Sequence, residues 1–326
     1  MKRRRILPAT ALALALALAA TPVWAQVKWD LAAAYPASNF HTENMAQLAS
    51  EVDKATGGQL KITVHANAAL FKAPEIKRAV QGGQVQMGEV LLGNFQNEWQ
   101  IFGIDSLPFL ADSYEAAKKL YAAQKPFLEK KLAEQGMLLL YSVAWPPQGI
   151  GTKKTLRSAA DLRGVKWRTY SPATARLAQL LGAQPVTVQA AELSQALATG
   201  VVEATMSSSA TGMDNKIYEH LKYYYDTRAW LPKNAVLVNK KAFDALDKPL
   251  QQALLKAGTD ADARGWSTST QVNTDTTAKL KAHGMKIVEP PAALRADLAR
   301  AGESMLKEWI ATTGPEGQAL IDAYRR

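Results

Sequence analysis

Residues 27–65 read VKWDLAAAYPASNFHTENMAQLASEVDKATGGQLKITVH. Over 27–34 apolar and polar residues alternate, the period of a half-buried strand. Over 40–55, Met45, Leu48, Val52 and Ala55 recur at helical spacing. Gly57-Gly58 then turns the chain into a second strand over 60–65. A short helix over 74–81 and a strand over 85–92 extend the order to β-α-β-α-β. Parallel strands need crossover helices, so this order predicts a parallel sheet covered by helices, an α/β fold. After a helical stretch over 113–135, residues 137–144 form a nearly continuous apolar run, the mark of a strand buried on both faces.

A second set of strand–helix units follows. Ser158-Ala-Ala-Asp161 has capping-box spacing and starts a helical turn that ends near Gly164. Strands are predicted over 165–169, 201–206, 223–230 and 235–239, with helices over 173–181 and 190–199. Pro232 marks a crossing between the last two strands. Residues 250–283 carry a helical pattern without internal Pro, started by Asp247 and Pro249 and followed by Gly284. Gly258 and Gly265 weaken that pattern, which fits two helices or one kinked helix packing across both lobes. Closing helices are read over 294–312 and 316–325. With no flexible linker in between, the two lobes imply that the backbone crosses more than once. The expected division is 26–145 plus 233–272 for lobe I and 146–232 plus 273–326 for lobe II.

The chain has 326 residues, enough for two domains, and no Cys. That absence excludes disulfides, a thiol nucleophile, thiolate zinc and an iron–sulfur cluster. Lys2, Arg3, Arg4 and Arg5, the Ala/Leu run 11–20 and the compact residues Val23 and Ala25 have the three-part pattern of a secretory signal cleaved after Ala25. Removing 1–25 takes four cations from the net charge of +10 and leaves +6. A surface that mildly basic is not a nucleic-acid footprint.

No nucleophile elbow, zinc-binding H-E-x-x-H or phosphate loop is present. Gly149-Ile-Gly151-Thr-Lys-Lys-Thr155 faintly imitates a phosphate loop, but with the wrong spacing. No dinucleotide fingerprint follows the first strand. The four His, at 41, 65, 220 and 283, are far apart in sequence. What remains is a secreted two-lobed protein with no catalytic signature, no metal and no cofactor, suited to closing on a small solute.

Residues 161–209 carry the most specific signal. They contain Asp161-Leu-Arg-Gly-Val-Lys-Trp-Arg168, then Gly182-Ala-Gln-Pro185, then Glu192-Leu-Ser-Gln-Ala-Leu-Ala-Thr-Gly200-Val-Val-Glu203-Ala204. This resembles the solute receptors of TRAP transporters, the DctP family, whose pattern is D-L-K-G-K-x-R, G-x-x-P and E-x-x-x-A-L-Q-x-G-x-V-D-G. One extra residue precedes the Arg here, and Glu203-Ala204 replaces the D-G pair. Gly58-x-Leu60-x-Ile62 and Leu107-Pro-Phe-Leu110 also match, and the likeness runs from about Trp29 to the C-terminus. It implies a periplasmic-binding-protein-like, two-lobed fold, a long helix across both lobes, and transport of an organic acid to membrane permease subunits by a monomeric receptor.

The resemblance also assigns residues. Arg168 takes the position that binds the solute carboxylate, a task suited to a permanently charged planar fork. Where dicarboxylate- and sialate-type members often carry a second Arg, this chain has Gln148, and Ser207 replaces a usual Asn. A neutral Gln cannot neutralise a second carboxylate, and burying an unpaired anion is costly. The expected solute is therefore a monocarboxylate, pyroglutamate or a small hydroxy or keto acid. Asn234 and Asn94 align with polar pocket contacts. Phe40 and Trp145 are expected as apolar walls or as ordinary core. Glu89, inside the third strand, is expected to meet a ligand N–H or to make a buried structural hydrogen bond. Two other readings stay open: a sensor subunit that presents its liganded form to a signalling receptor, and a periplasmic enzyme on the same scaffold.

Overall fold

The computed structural model describes residues 26–326; the secretory-signal expectation for 1–25 lies outside them. The first strand, β1 (Val27–Ala32), turns Trp29 and Leu31 inward and Lys28 and Asp30 outward, as its alternation requires. Asn39 caps α1 (Phe40–Ala55) by accepting from the His41 backbone N–H, and the Met45–Leu48–Val52 stripe is buried. Next come β2 (Leu60–His65), α2 (Ala73–Gln81) and β3 (Met87–Leu91). β1 pairs in parallel with both β2 and β3. A 3₁₀ segment, Gln100–Ser106, leads to α3 (Tyr114–Glu134) and then β4 (Met137–Ala144).

The chain then passes to a second sheet through β5 (Gln148–Thr152), β6 (Lys166–Thr169), α4 (Pro172–Leu180), β7 (Gln184–Thr187), α5 (Leu193–Ala198), β8 (Ala204–Ser208), α6 (Ser209–Asp214) and β9 (Tyr223–Tyr225). It returns through β10 (Lys233–Asn239) and α7 (Lys240–Asp244). The long α8 (Lys248–Ala282), β11 (Lys286–Val288) and α9 (Ala292–Arg325) complete the fold. The first sheet has the order β2-β1-β3-β10-β4 and the second β11-β9-β5-β8-β6-β7.

Neither sheet is purely parallel, a difference from the expectation. β10 arrives from the second lobe and inserts antiparallel between β3 and β4. β4 is consequently an edge strand, and its apolar run is explained by α3 and α8 packing against it. The strand expected over 201–206 begins at Ala204, and that expected over 223–230 ends at Tyr225.

The long helix is continuous. α8 packs against α1 and β4 on one side of the molecule and against α6 and β11 on the other. Its two glycines are sites of close approach to β4. A Cβ on Gly258 would lie 2.7 Å from a Leu140 methyl. The final pattern is two helices, as expected: α9 is helical on either side of a kink at Gly314 (φ 58°).

The crossing into β10 is pinned by a buried ion pair. Lys233 Nζ lies 2.8 Å from Asp105 Oδ2, and the Lys233 backbone N–H donates to the same oxygen at 3.0 Å. Both side chains are sealed from water. Removing one partner leaves the other charge buried alone, which costs about 3–5 kcal/mol. Lys233→Met and Asp105→Asn should each lower stability on that scale, measured by urea unfolding. Unchanged midpoints would show that the pair does not anchor the crossing.

Candidate functional site

A cavity of about 280 Å³ opens between the two sheets. Its lining comes largely from segments just beyond strands: Tyr35 after β1, Trp145 after β4, Tyr170 after β6, and Leu91 at the end of β3. Open α/β sheets place ligands at such carboxyl ends. Gln148 at the start of β5 and Ser207 near the end of β8 complete the wall from the second sheet.

Arg168 lines this cavity and is only 3% exposed. β6 holds it rigidly, between β7 and β8. Its Nε donates to the Val188 carbonyl at 2.8 Å, and the guanidinium lies over the Tyr170 ring, 4.8 Å from the centroid. Burial lowers its pKa to about 10, partly offset by Tyr170 and Tyr35, so it remains cationic at neutral pH. No described carboxylate forms an ion pair with it, and its terminal nitrogens bond to no described residue. A buried cation without a protein partner needs an anion from elsewhere.

Neutral dipoles surround it. Trp230 Nε1 donates to Tyr170 Oη at 3.2 Å, and Tyr170 Oη donates to Gln148 Oε1 at 3.0 Å. Gln148 Nε2 donates to the Pro146 carbonyl at 3.0 Å, which fixes the orientation of the amide. Trp145 stands edge-on to Tyr35 at 4.9 Å between centroids. The charged Lys72 and Glu192 reach the cavity from exposed positions. Near its mouth, Asn39 Nδ2 donates to Asp214 Oδ2 at 2.7 Å, joining the start of α1 to the end of α6.

Among the described residues no cluster of His, Asp and Glu has metal-ligating geometry. No described helix is long and apolar enough to cross a membrane. A single buried cation ringed by neutral donors, acceptors and aromatic faces can bind an anion.

A family description for bacterial extracellular solute-binding protein, family 7 (DctP), matches residues 31–313. The chain belongs to this family. DctP6 of Bordetella pertussis, an extracytoplasmic solute receptor whose crystal structure is described as binding pyroglutamic acid, is 60% identical. It superposes with a TM-score of 0.91 over 92% of this chain and 99% of that one. DctP7 of the same organism, also described as binding pyroglutamic acid, is 44% identical with a TM-score of 0.91, covering 92% and 100%. A marine metagenome TRAP solute-binding protein, solved with co-purified pyroglutamate, is likewise 44% identical with a TM-score of 0.91, covering 92% and 99%. This DctP protein is thus an extracytoplasmic TRAP-type solute receptor, a binding protein and not an enzyme.

Of the eight residues singled out in the sequence, Arg168, Gln148, Ser207, Asn94 and Trp145 meet on the cavity wall. Phe40, Glu89 and Asn234 do not reach it and are buried one layer behind. Phe40 stands edge-on to Trp145 at 5.4 Å, and Asn234 Oδ1 accepts from Trp145 Nε1 at 2.8 Å. Tyr35, Tyr170 and Thr211, none of them anticipated, also line the cavity. For Tyr35 and Tyr170 the available signal was their place just beyond β1 and β6.

Tyr170→Phe removes the hydroxyl that joins Trp230 to Gln148 and leaves two buried polar groups unpaired. The expected destabilisation is about 1–3 kcal/mol per orphaned group, read from urea unfolding of the ligand-free protein. A neutral result would mean that the relay does not hold the wall.

Proposed function

We propose that this DctP receptor binds one small monocarboxylate, pyroglutamate foremost, between its two lobes and delivers it to the membrane permease of a TRAP transporter. The observation that carries the reading is the buried guanidinium of Arg168, which has no counter-charge among the described residues, in a cavity on whose wall those residues place no second buried cation. One carboxylate satisfies it with charge-assisted hydrogen bonds. A second carboxylate would face Gln148, whose neutral amide supplies no counter-charge. A cavity of about 280 Å³ suits a small acid, since drug-sized ligands occupy roughly 300–1,000 Å³. The 60% and 44% identical receptors described as binding pyroglutamic acid support the same choice.

In this reading Arg168 takes the carboxylate, while Gln148, Ser207 and Asn94 meet the ring amide. Trp145 forms an apolar wall, and Phe40, Glu89 and Asn234 support it from behind. The lobes that close are 26–145 plus 233–272 and 146–232 plus 273–326. Residues 1–25 act as a cleavable signal, and the mature protein works in the periplasm as a monomer.

Calorimetry with L-pyroglutamate and succinate tests the reading. Pyroglutamate should bind and succinate should not. Arg168→Ala should weaken binding by about 2–5 kcal/mol, because the carboxylate would sit buried without its counter-charge. Unchanged affinity would reject the assignment. Gln148→Arg should move preference toward diacids; no movement would put Gln148 outside the recognition step.

A further inference from the structure

Behind the cavity wall lies a buried acid–base pair that anion binding, as described so far, does not use. Glu89 comes from β3 and His41 from α1, and each is at most 3% exposed. His41 Nδ1 lies 3.4 Å from Glu89 Oε1. Glu89 Oε2 and His41 Nε2 have no hydrogen-bond partner among the described residues. The pair is one side chain away from the ligand space. The His41 ring packs 4.5 Å from Trp145 and 6.4 Å from Tyr35, centroid to centroid, and both of these line the cavity.

The charge state of this pair decides what an incoming anion meets. If the pair holds one proton, on either member, it is neutral and Arg168 acts unopposed. If it holds none, a buried negative charge stands behind Tyr35 and Trp145, in a low-dielectric setting where repulsion of a carboxylate is strong. We propose that the Glu89–His41 pair must hold one proton when the ligand is bound, taking it up with the ligand where the free protein lacks it, so that binding of the carboxylate is linked to protonation behind the cavity wall. The proposal rests on the reading of the cavity as a monocarboxylate site.

The surroundings favour this state. Tyr35 beyond β1 and Tyr141 on β4 feel the Glu89 charge, and the Asn234 amide of β10 lies beside it. Tyr35 also faces Arg168 and Asp214, while Tyr141 faces Arg264 and Asp262. Burial pushes Glu89 up to about 8, with Asn234 acting the other way. Burial lowers His41 to about 3, so the proton resides on Glu89. A group raised in this way is protonated below about pH 8 and loses its proton above it. Affinity is therefore full below that point and falls as pH rises through it, while Arg168, at about 10, stays largely charged up to pH 9.

The test is calorimetry of the wild-type protein with L-pyroglutamate from pH 6 to 9, in buffers of different ionisation enthalpy. Affinity should be about tenfold weaker at pH 9 than at pH 7, with about half a proton taken up per ligand near pH 8. Glu89→Gln, neutral at every pH, should give a level profile and no proton uptake, whatever its affinity. Should that variant fail to fold, proton uptake by the wild type decides. Binding that is level to pH 9 with no proton exchanged overturns the linkage and leaves the monocarboxylate reading standing. Linkage that persists in Glu89→Gln overturns the assignment to this pair. No binding of pyroglutamate or another monocarboxylate at pH 7 overturns that reading and the linkage with it.

Discussion

A guanidinium buried without a counter-charge among the described residues is the constraint around which this molecule is arranged. Such a group is expensive to desolvate, and a fold built only for stability would pair it or expose it. Here Arg168 is fixed by one backbone carbonyl and one aromatic face, with its remaining donors left to the cavity. The cost is borne by two large cores on either side. One is built on β1–β4, β10 and α1, and the other on β5, β6, β8, α4 and α9. Function thus depends on stability stored elsewhere in the structure.

The buried polar groups beside Arg168 are neutral or held neutral; the charges of Lys72 and Glu192 reach the cavity only from exposed positions. The Trp230–Tyr170–Gln148 relay offers dipoles of fixed direction. Burial keeps Tyr35 and Tyr170 protonated far above their usual range. The acid on β3 is displaced in the same sense and by the same physical cause. A single positive charge among preoriented dipoles selects for charge by arithmetic and for shape by contact.

The fold was largely legible because its signals are local. α1 ends and β2 begins where Gly57-Gly58 and the change of period put them. β5 was not legible. Its Gln-Gly-Ile-Gly-Thr sequence lacks strand propensity, yet it lies at the centre of the second sheet. Its glycines answer a tertiary demand, since a Cβ on Gly149 would sit 2.5 Å from the Tyr224 ring. The cavity was legible only in part. Resemblance pointed to Arg168, Gln148 and Ser207, but periodicity does not tell which side of an inserted strand faces a cleft. Asn234 shows this: it aligns with a pocket position and spends its oxygen on Trp145 from behind. Tyr35 and Tyr170 escaped because, although they follow strands, they belong to no motif.

The glycines of α8 have a mechanical meaning. Gly258 and Gly265 let the first half of the helix lie flush on β4, and Trp266 Nε1 bonds the Ser142 carbonyl at 2.9 Å. Four residues after Ser269, whose carbonyl accepts from Tyr114, the helix changes allegiance: Ser209 of the opposite lobe bonds Asn273 and then Thr276. Between these clamps Thr270 turns its hydroxyl back on the Trp266 carbonyl, an arrangement that favours curvature. A rod soldered to one plate and riveted to another must flex in its free span when the plates rotate. In the proposed closure of the two lobes, this stretch of α8 is the span that bends, a leaf spring between two fixed ends.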